Sequence, residues 1–195
     1  MKRLLATLAA LALSSCVAPV GPVEVTRFHV PGLATLGRGA IAIEPATGQD
    51  GNSLEFSSYA GAVMRQLSLL GFSEAARAGT SPQVVMLRIE RRSYRPERAR
   101  GPVSVGIGGQ TGGYGSGVGV GIGLDLSGPP PQQVETLLGV TIKDRASGKT
   151  LWEGRATFAV AATSPLASTQ LGAAKLAEAL FKGFPGSSGE TIRVQ

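Results

Sequence analysis

Apolar residues recur along this chain with a period of two in some stretches and 3.6 in others, and the switches between the two divide it into elements. Residues 24–30, Glu-Val-Thr-Arg-Phe-His-Val, are rich in β-branched and aromatic types and predict a strand, though their alternation is imperfect. Gly39 to Ile43 predicts a second strand, closed by Pro45. Asn52 or Ser53 then caps a helix with Glu55 in its first turn. Phe56, Tyr59, Ala60, Val63, Leu67 and Leu70 follow helical spacing, and Gly71 ends it. Pro82 opens a strand in which Val85, Leu87 and Ile89 share one face and Arg88 and Glu90 the other.

The next stretch is unusual. Val103, Val105 and Ile107 alternate with Ser104, Gly106 and Gly108, and Val118, Val120, Ile122 and Leu124 alternate with Gly119, Gly121, Gly123 and Asp125. Two such runs around a glycine-rich turn predict a hairpin, within 102–127, with one apolar and one nearly bare face. After Gly128-Pro129-Pro130-Pro131, Leu138, Val140 and Ile142 mark one strand face, and Trp152, Ala156, Phe158 and Val160 the next. Ser164-Pro165 has the form of a helix start, with Leu166, Gln170, Ala173, Ala177, Leu180 and Phe184 along one side and Gly183 and Pro185 as the stop. Thr191 to Val194 predicts a last short strand. Consecutive strands broken by two helices give an α+β class: an antiparallel or mixed sheet with both helices on one face, plus the glycine-rich β-hairpin.

The head of the chain changes the picture. Lys2 and Arg3 precede ten apolar or small residues, Leu4 to Leu13, too few to span a bilayer as a helix. Small residues Ser14 and Ser15 then lead into the single cysteine, Cys16. Leu13-Ser14-Ser15-Cys16 resembles the bacterial lipobox, which implies a leader over residues 1–15, cleavage before Cys16, and acyl chains, palmitate among them, on that residue. Two or more acyl chains hold a protein stably on a membrane. Residues 16–22 then form the lipidated cysteine and its tether, and 23–195 a single domain. Val17 stands where aspartate would mark inner-membrane retention, so the resemblance implies the outer membrane, on the periplasmic side.

Without Lys2 and Arg3 the side chains carry +4, from the +6 of the whole chain. Arg88, Arg91, Arg92, Arg95, Arg98 and Arg100, set against Glu90 and Glu97, supply the same +4 within thirteen residues. These arginines are candidates for contact with anionic lipid phosphates, which a planar guanidinium binds bidentately. The alternative is a solvated strand edge on which charge discourages sheet-to-sheet pairing. Nucleic acid is not expected as a partner: no aromatic residues are interleaved to stack bases, and an exported protein rarely meets any.

Motifs for chemistry fail on their own requirements. Gly148-Lys149-Thr150 lacks the phosphate-loop glycine five residues earlier, where Lys143 stands. The glycine repeat holds no G-x-G-x-x-G, and no G-x-S-x-G elbow is present. His29, the one histidine, has no carboxylates at metal-ligand spacing, so neither metal nor cofactor is expected. Carboxylates such as Glu90, Asp125, Asp144 and Glu153 could meet only through the fold.

Three stretches then stand together: Leu54-Glu55-Phe56 through Leu70-Gly71-Phe72, the strand Leu151-Trp152-Glu153-Gly154-Arg155-Ala156, and Ala179-Leu180-Phe181 through Phe184-Pro185-Gly186 to Gly189. With the lipobox and the glycine-rich middle, they resemble the Gram-negative lipoproteins of the domain of unknown function DUF4136. That family has no established activity, so the resemblance implies an anchor and a fold and no site. The expected function is a non-enzymatic, lipid-anchored envelope protein with a binding or assembly role, touching the membrane, anionic lipid or an envelope protein. The competing expectation is an envelope hydrolase acting on glycan or lipid.

Overall fold

The computed structural model describes residues 21–32, 36, 38–97, 103–110, 117–124 and 129–195. Cys16, Arg98, Arg100 and Asp125 lie outside them. In chain order the elements are β1 (Val23–His29), β2 (Gly39–Pro45), α1 (Leu54–Leu69), β3 (Phe72–Glu74), β4 (Gln83–Tyr94), β5 (Val103–Gln110), β6 (Gly117–Leu124), β7 (Gln133–Asp144), β8 (Thr150–Ala161), α2 (Thr169–Phe181) and β9 (Thr191–Val194). Seven strands form one sheet in the order β3-β2-β4-β7-β8-β1-β9, and β5 and β6 pair separately. The class is α+β with a mixed sheet: β2 runs parallel to β3 and β4, while β4, β7, β8, β1 and β9 are antiparallel neighbours. Parallel neighbours need a crossover connection, and α1 supplies it between β2 and β4.

Ser53 caps α1, its hydroxyl accepting from the Phe56 amide at 3.0 Å. Phe56, Tyr59, Val63 and Leu67 are buried as their spacing requires, and Ala62 takes the place expected of Ala60, which is only partly covered. Past Gly71 (φ +98°), Phe72 enters β3, an edge strand too short to show in the hydropathy pattern.

The period-two positions Val85, Leu87, Ile89, Leu138, Val140, Ile142, Trp152, Ala156, Phe158 and Val160 all join one core with both helices. Burying each such aliphatic or aromatic side chain is worth about 1.5–3 kcal/mol.

Two expectations for the second helix are corrected. Ser164-Pro165 opens a 3₁₀ turn, Pro165–Ala167, in which the Ser164 hydroxyl accepts from the Leu166 amide at 3.3 Å. Ser168 is extended (φ −71°, ψ 143°), so the α-helix begins only at Thr169. Gln170 therefore sits in the first turn and is exposed, and the buried stripe runs through Ala173, Leu176, Ala177 and Leu180.

Candidate binding face

With both helices on one side, strand alternation presents the other residues of β4, β7, β8 and β1 on a face that neither described helix covers. The register sets Arg88 opposite Gly139 and Gly139 opposite Arg155, so two guanidinium-bearing positions flank a residue without a side chain. Around them lies a shallow trough of about 570 Å³, lined also by Met86, Leu137, Thr141 and Lys143. Each arginine is held upright by a carboxylate two residues along its own strand: Arg88 by Glu90 at 3.1 Å, Arg155 by Glu153 at 2.7 Å. Exposed pairs of this kind contribute about 0–1 kcal/mol, so they organise charge on the face more than they stabilise it.

Gly139 is not demanded by its surroundings. Its φ is not in the left-handed region, and an added Cβ would lie an ordinary 3.5 Å from Arg88 Cβ. A glycine inside a strand costs about 0.5–1 kcal/mol relative to alanine. Strand glycines often mark a bulge, a bend or a place where another group approaches the backbone, and both ladders of β7 run through Gly139 without a register shift.

The arginine-rich segment is divided by the strand it lies in. Arg88 and Arg92 point to the open face. Arg92 pairs with Glu135 at 2.8 Å, which raises the pKa of its guanidinium, and it lies 5.8 Å from the centre of the Tyr94 ring. Arg91 points to the helix side, where it bonds Glu55 (3.0 Å), Thr169 Oγ1 (3.1 Å) and the Ala167 carbonyl (2.6 Å). It thus ties the start of α1 to the start of α2. Arg95 is exposed beyond the end of β4. The +4 of the sequence is therefore not one patch, and the register brings Arg155, far away in the chain, to the same face as Arg88.

Among the carboxylates read from sequence, Glu90 and Glu153 both line the trough but lie opposite Leu137 and Thr141 of β7, four residues apart, and each is engaged by its own arginine. Asp144 belongs to the β7–β8 turn, where Ser147 donates to it through its hydroxyl (2.6 Å) and amide (2.8 Å). Those bonds hold the Asp144 carboxyl below its usual pKa.

The sequence reading missed a second cluster, on the core side. Arg27 is 4% exposed and donates from Nε to the Leu180 carbonyl (2.9 Å) and from Nη2 to that of Ala179 (3.0 Å). It closes the C-terminus of α2, where carbonyls lack helical partners and the dipole is negative. Burial lowers its pKa from the ordinary arginine value. The 184–189 loop wraps this side chain: His29 Nε2 donates to the Gly186 carbonyl (3.1 Å), Trp152 Nε1 to that of Pro185 (3.0 Å), and the Gly189 amide to that of Arg27 (2.7 Å). The signal was present as the imperfect alternation of β1, in which Arg27 occupies the inward position after Val23 and Val25.

A family model described as "Domain of unknown function (DUF4136)" matches residues 35–186. The chain belongs to this family. The DUF4136 match includes the Trp152-Glu153-Gly154 strand and reaches the Phe184-Pro185-Gly186 turn, the two stretches that the Trp152 bond joins. The uncharacterized protein ZMO1243 of Zymomonas mobilis is 28% identical over 220 residues, covering 89% of this chain and 80% of its own. In fold, the DUF4136 chain is similar to the crystal structure of a PDZ domain protein from Parabacteroides distasonis, at a TM-score of 0.52 and 11% identity. That likeness covers 97% of this chain but 42% of the other, and it speaks to fold alone.

Proposed function

We propose that this DUF4136 chain is a non-enzymatic binding module of the bacterial envelope, anchored through lipid on Cys16 at the periplasmic side of the outer membrane. Its sheet face opposite the helices recognises anionic groups, such as lipid phosphates. The anchor is supported by Leu13-Ser14-Ser15-Cys16 at the end of a short apolar run. The observation that carries the binding role is Gly139 between Arg88 and Arg155: a strand residue that neither backbone nor packing requires, flanked by two forks suited to phosphate. Glu90 and Glu153 each serve an arginine, an arrangement suited to charged recognition rather than to an acid and base pair.

The test is binding of residues 17–195 to vesicles with and without anionic lipid. Arg88→Gln with Arg155→Gln should weaken binding to anionic vesicles and flatten its decline with salt, since exposed charges are screened over about 8–10 Å at physiological ionic strength. Arg91→Gln should leave binding unchanged, because that guanidinium faces the helices. Equal binding by the double variant and the parent would refute the proposed face.

A further inference from the structure

We infer that the β5–β6 hairpin joins copies of this chain, edge to edge, into a continuous sheet. The molecule treats its strand edges in two opposite ways. The seven-stranded sheet ends in β3, three residues long, and β9, four residues long, the latter carrying Arg193 paired with Glu24. Short edges and charge are the usual protection against pairing with another chain. β5 and β6 have none of these devices. Each is eight residues long, about 27 Å of strand at ~3.4 Å per residue. Among the described residues both are edges, since neither pairs with any strand but the other. Their ladder runs from Val103↔Leu124 to Gln110↔Gly117 in unbroken one-to-one register, without a bulge. From Gly101 to Leu124 the sequence holds no charged residue, and neither strand contains proline.

Alone, such a ladder is weak. A two-stranded hairpin is marginal in water. Here five of the eight opposed pairs include a glycine, and in two of them both residues are glycine: Gly106 faces Gly121, and Gly108 faces Gly119. Cross-strand side-chain pairs stabilise a ladder, and glycines forgo them. Adding a third and fourth strand at the free edges supplies what is missing.

A second copy is the partner the pattern fits. Register sets Val105 against Ile122 and Ile107 against Val120 on one face, with the glycine pairs on the other. A neighbouring hairpin with the same period continues both faces, apolar beside apolar and bare beside bare. A partner strand of another pattern would set polar residues into the apolar face. The inference does not depend on the lipid anchor or on the arginine face, and its test reads self-association only.

The test uses the full chain in cells, expressed with two different tags and with a photo-reactive residue in place of Ile107. Irradiation should give an adduct carrying both tags, while the same residue in place of the exposed Leu171 on α2 should not. Val120→Lys places a charge at the middle of an edge and should lower the two-tag adduct about tenfold; Val120→Thr, which keeps strand propensity, should retain it. Because the lysine variant could lose the hairpin itself, dilution provides a second reading. Excess untagged parent chain should compete the adduct away, and excess untagged Val120→Lys should not. No two-tag adduct from position 107, an adduct only to lipid or to another protein, or an adduct unaffected by excess parent chain would each overturn the inference.

Discussion

The Trp152 ring lies over Gly154 on the core face of β8, so close that a Cβ at Gly154 would overlap it and also come within 2.8 Å of Leu180 Cδ1. The same ring stacks on Phe181 at 5.4 Å and donates its indole N–H to the Pro185 carbonyl. One tryptophan thus joins the sheet, the end of α2 and the loop after it, and the glycine two residues on makes room for it.

Gly154→Ala is therefore expected to be costly. Overpacking a close-packed core costs about 1–3 kcal/mol, and this site lies at the upper end because the obstacle is a rigid ring held by a hydrogen bond. Urea unfolding should show a loss of about 3 kcal/mol. An unchanged midpoint would mean that the ring has room to move.

Arg27→Met keeps the bulk of the stem and removes both donors to the end of α2. Each buried carbonyl left without a partner costs about 1–3 kcal/mol, partly offset because a charge no longer has to be buried. A net loss of about 2 kcal/mol is expected, with Arg27→Lys between it and the parent. Hydrogen exchange should show the loss concentrated in the amides of the last turn of α2 and of the 184–189 loop. Uniformly faster exchange would contradict a role in closing the helix.

These two clusters show what local pattern can and cannot reveal. The inward sets of β4, β7 and β8 were legible because each alternates cleanly over a long strand, and the Ser53 cap because its chemistry is local. The parallel pairing of β2 with β4 was not, since nothing within either strand names its neighbour. The signal at Ser164-Pro165 was real but was spent on a 3₁₀ turn. The trough needs three strands in register before Arg88, Gly139 and Arg155 come together, so a reading along the chain saw only the arginines adjacent in sequence. The same reading joined Arg91 to Arg88, although alternation sends them to opposite faces of the sheet.

Acid should weaken the β7–β8 turn. The Asp144 carboxyl is held below its ordinary value of 3.8 by the Ser147 hydroxyl and amide. A group with a depressed folded pKa contributes stability that is fully present above its unfolded value and lost as pH falls through the folded one. Ser147→Ala should move the Asp144 titration upward, as read by carboxyl NMR, and should reduce the loss of stability below about pH 4. An Asp144 titration identical in parent and variant would show that the turn does not hold the carboxylate.

If lipid on Cys16 holds this domain on a membrane, metabolic labelling with a fatty-acid analogue reads the attachment itself. The parent chain should take up the label and fractionate with the outer membrane. Cys16→Ser should lose the label and appear as an unprocessed or soluble form. A Cys16→Ser chain that still labels and still fractionates with the outer membrane would show that Cys16 is not the anchor.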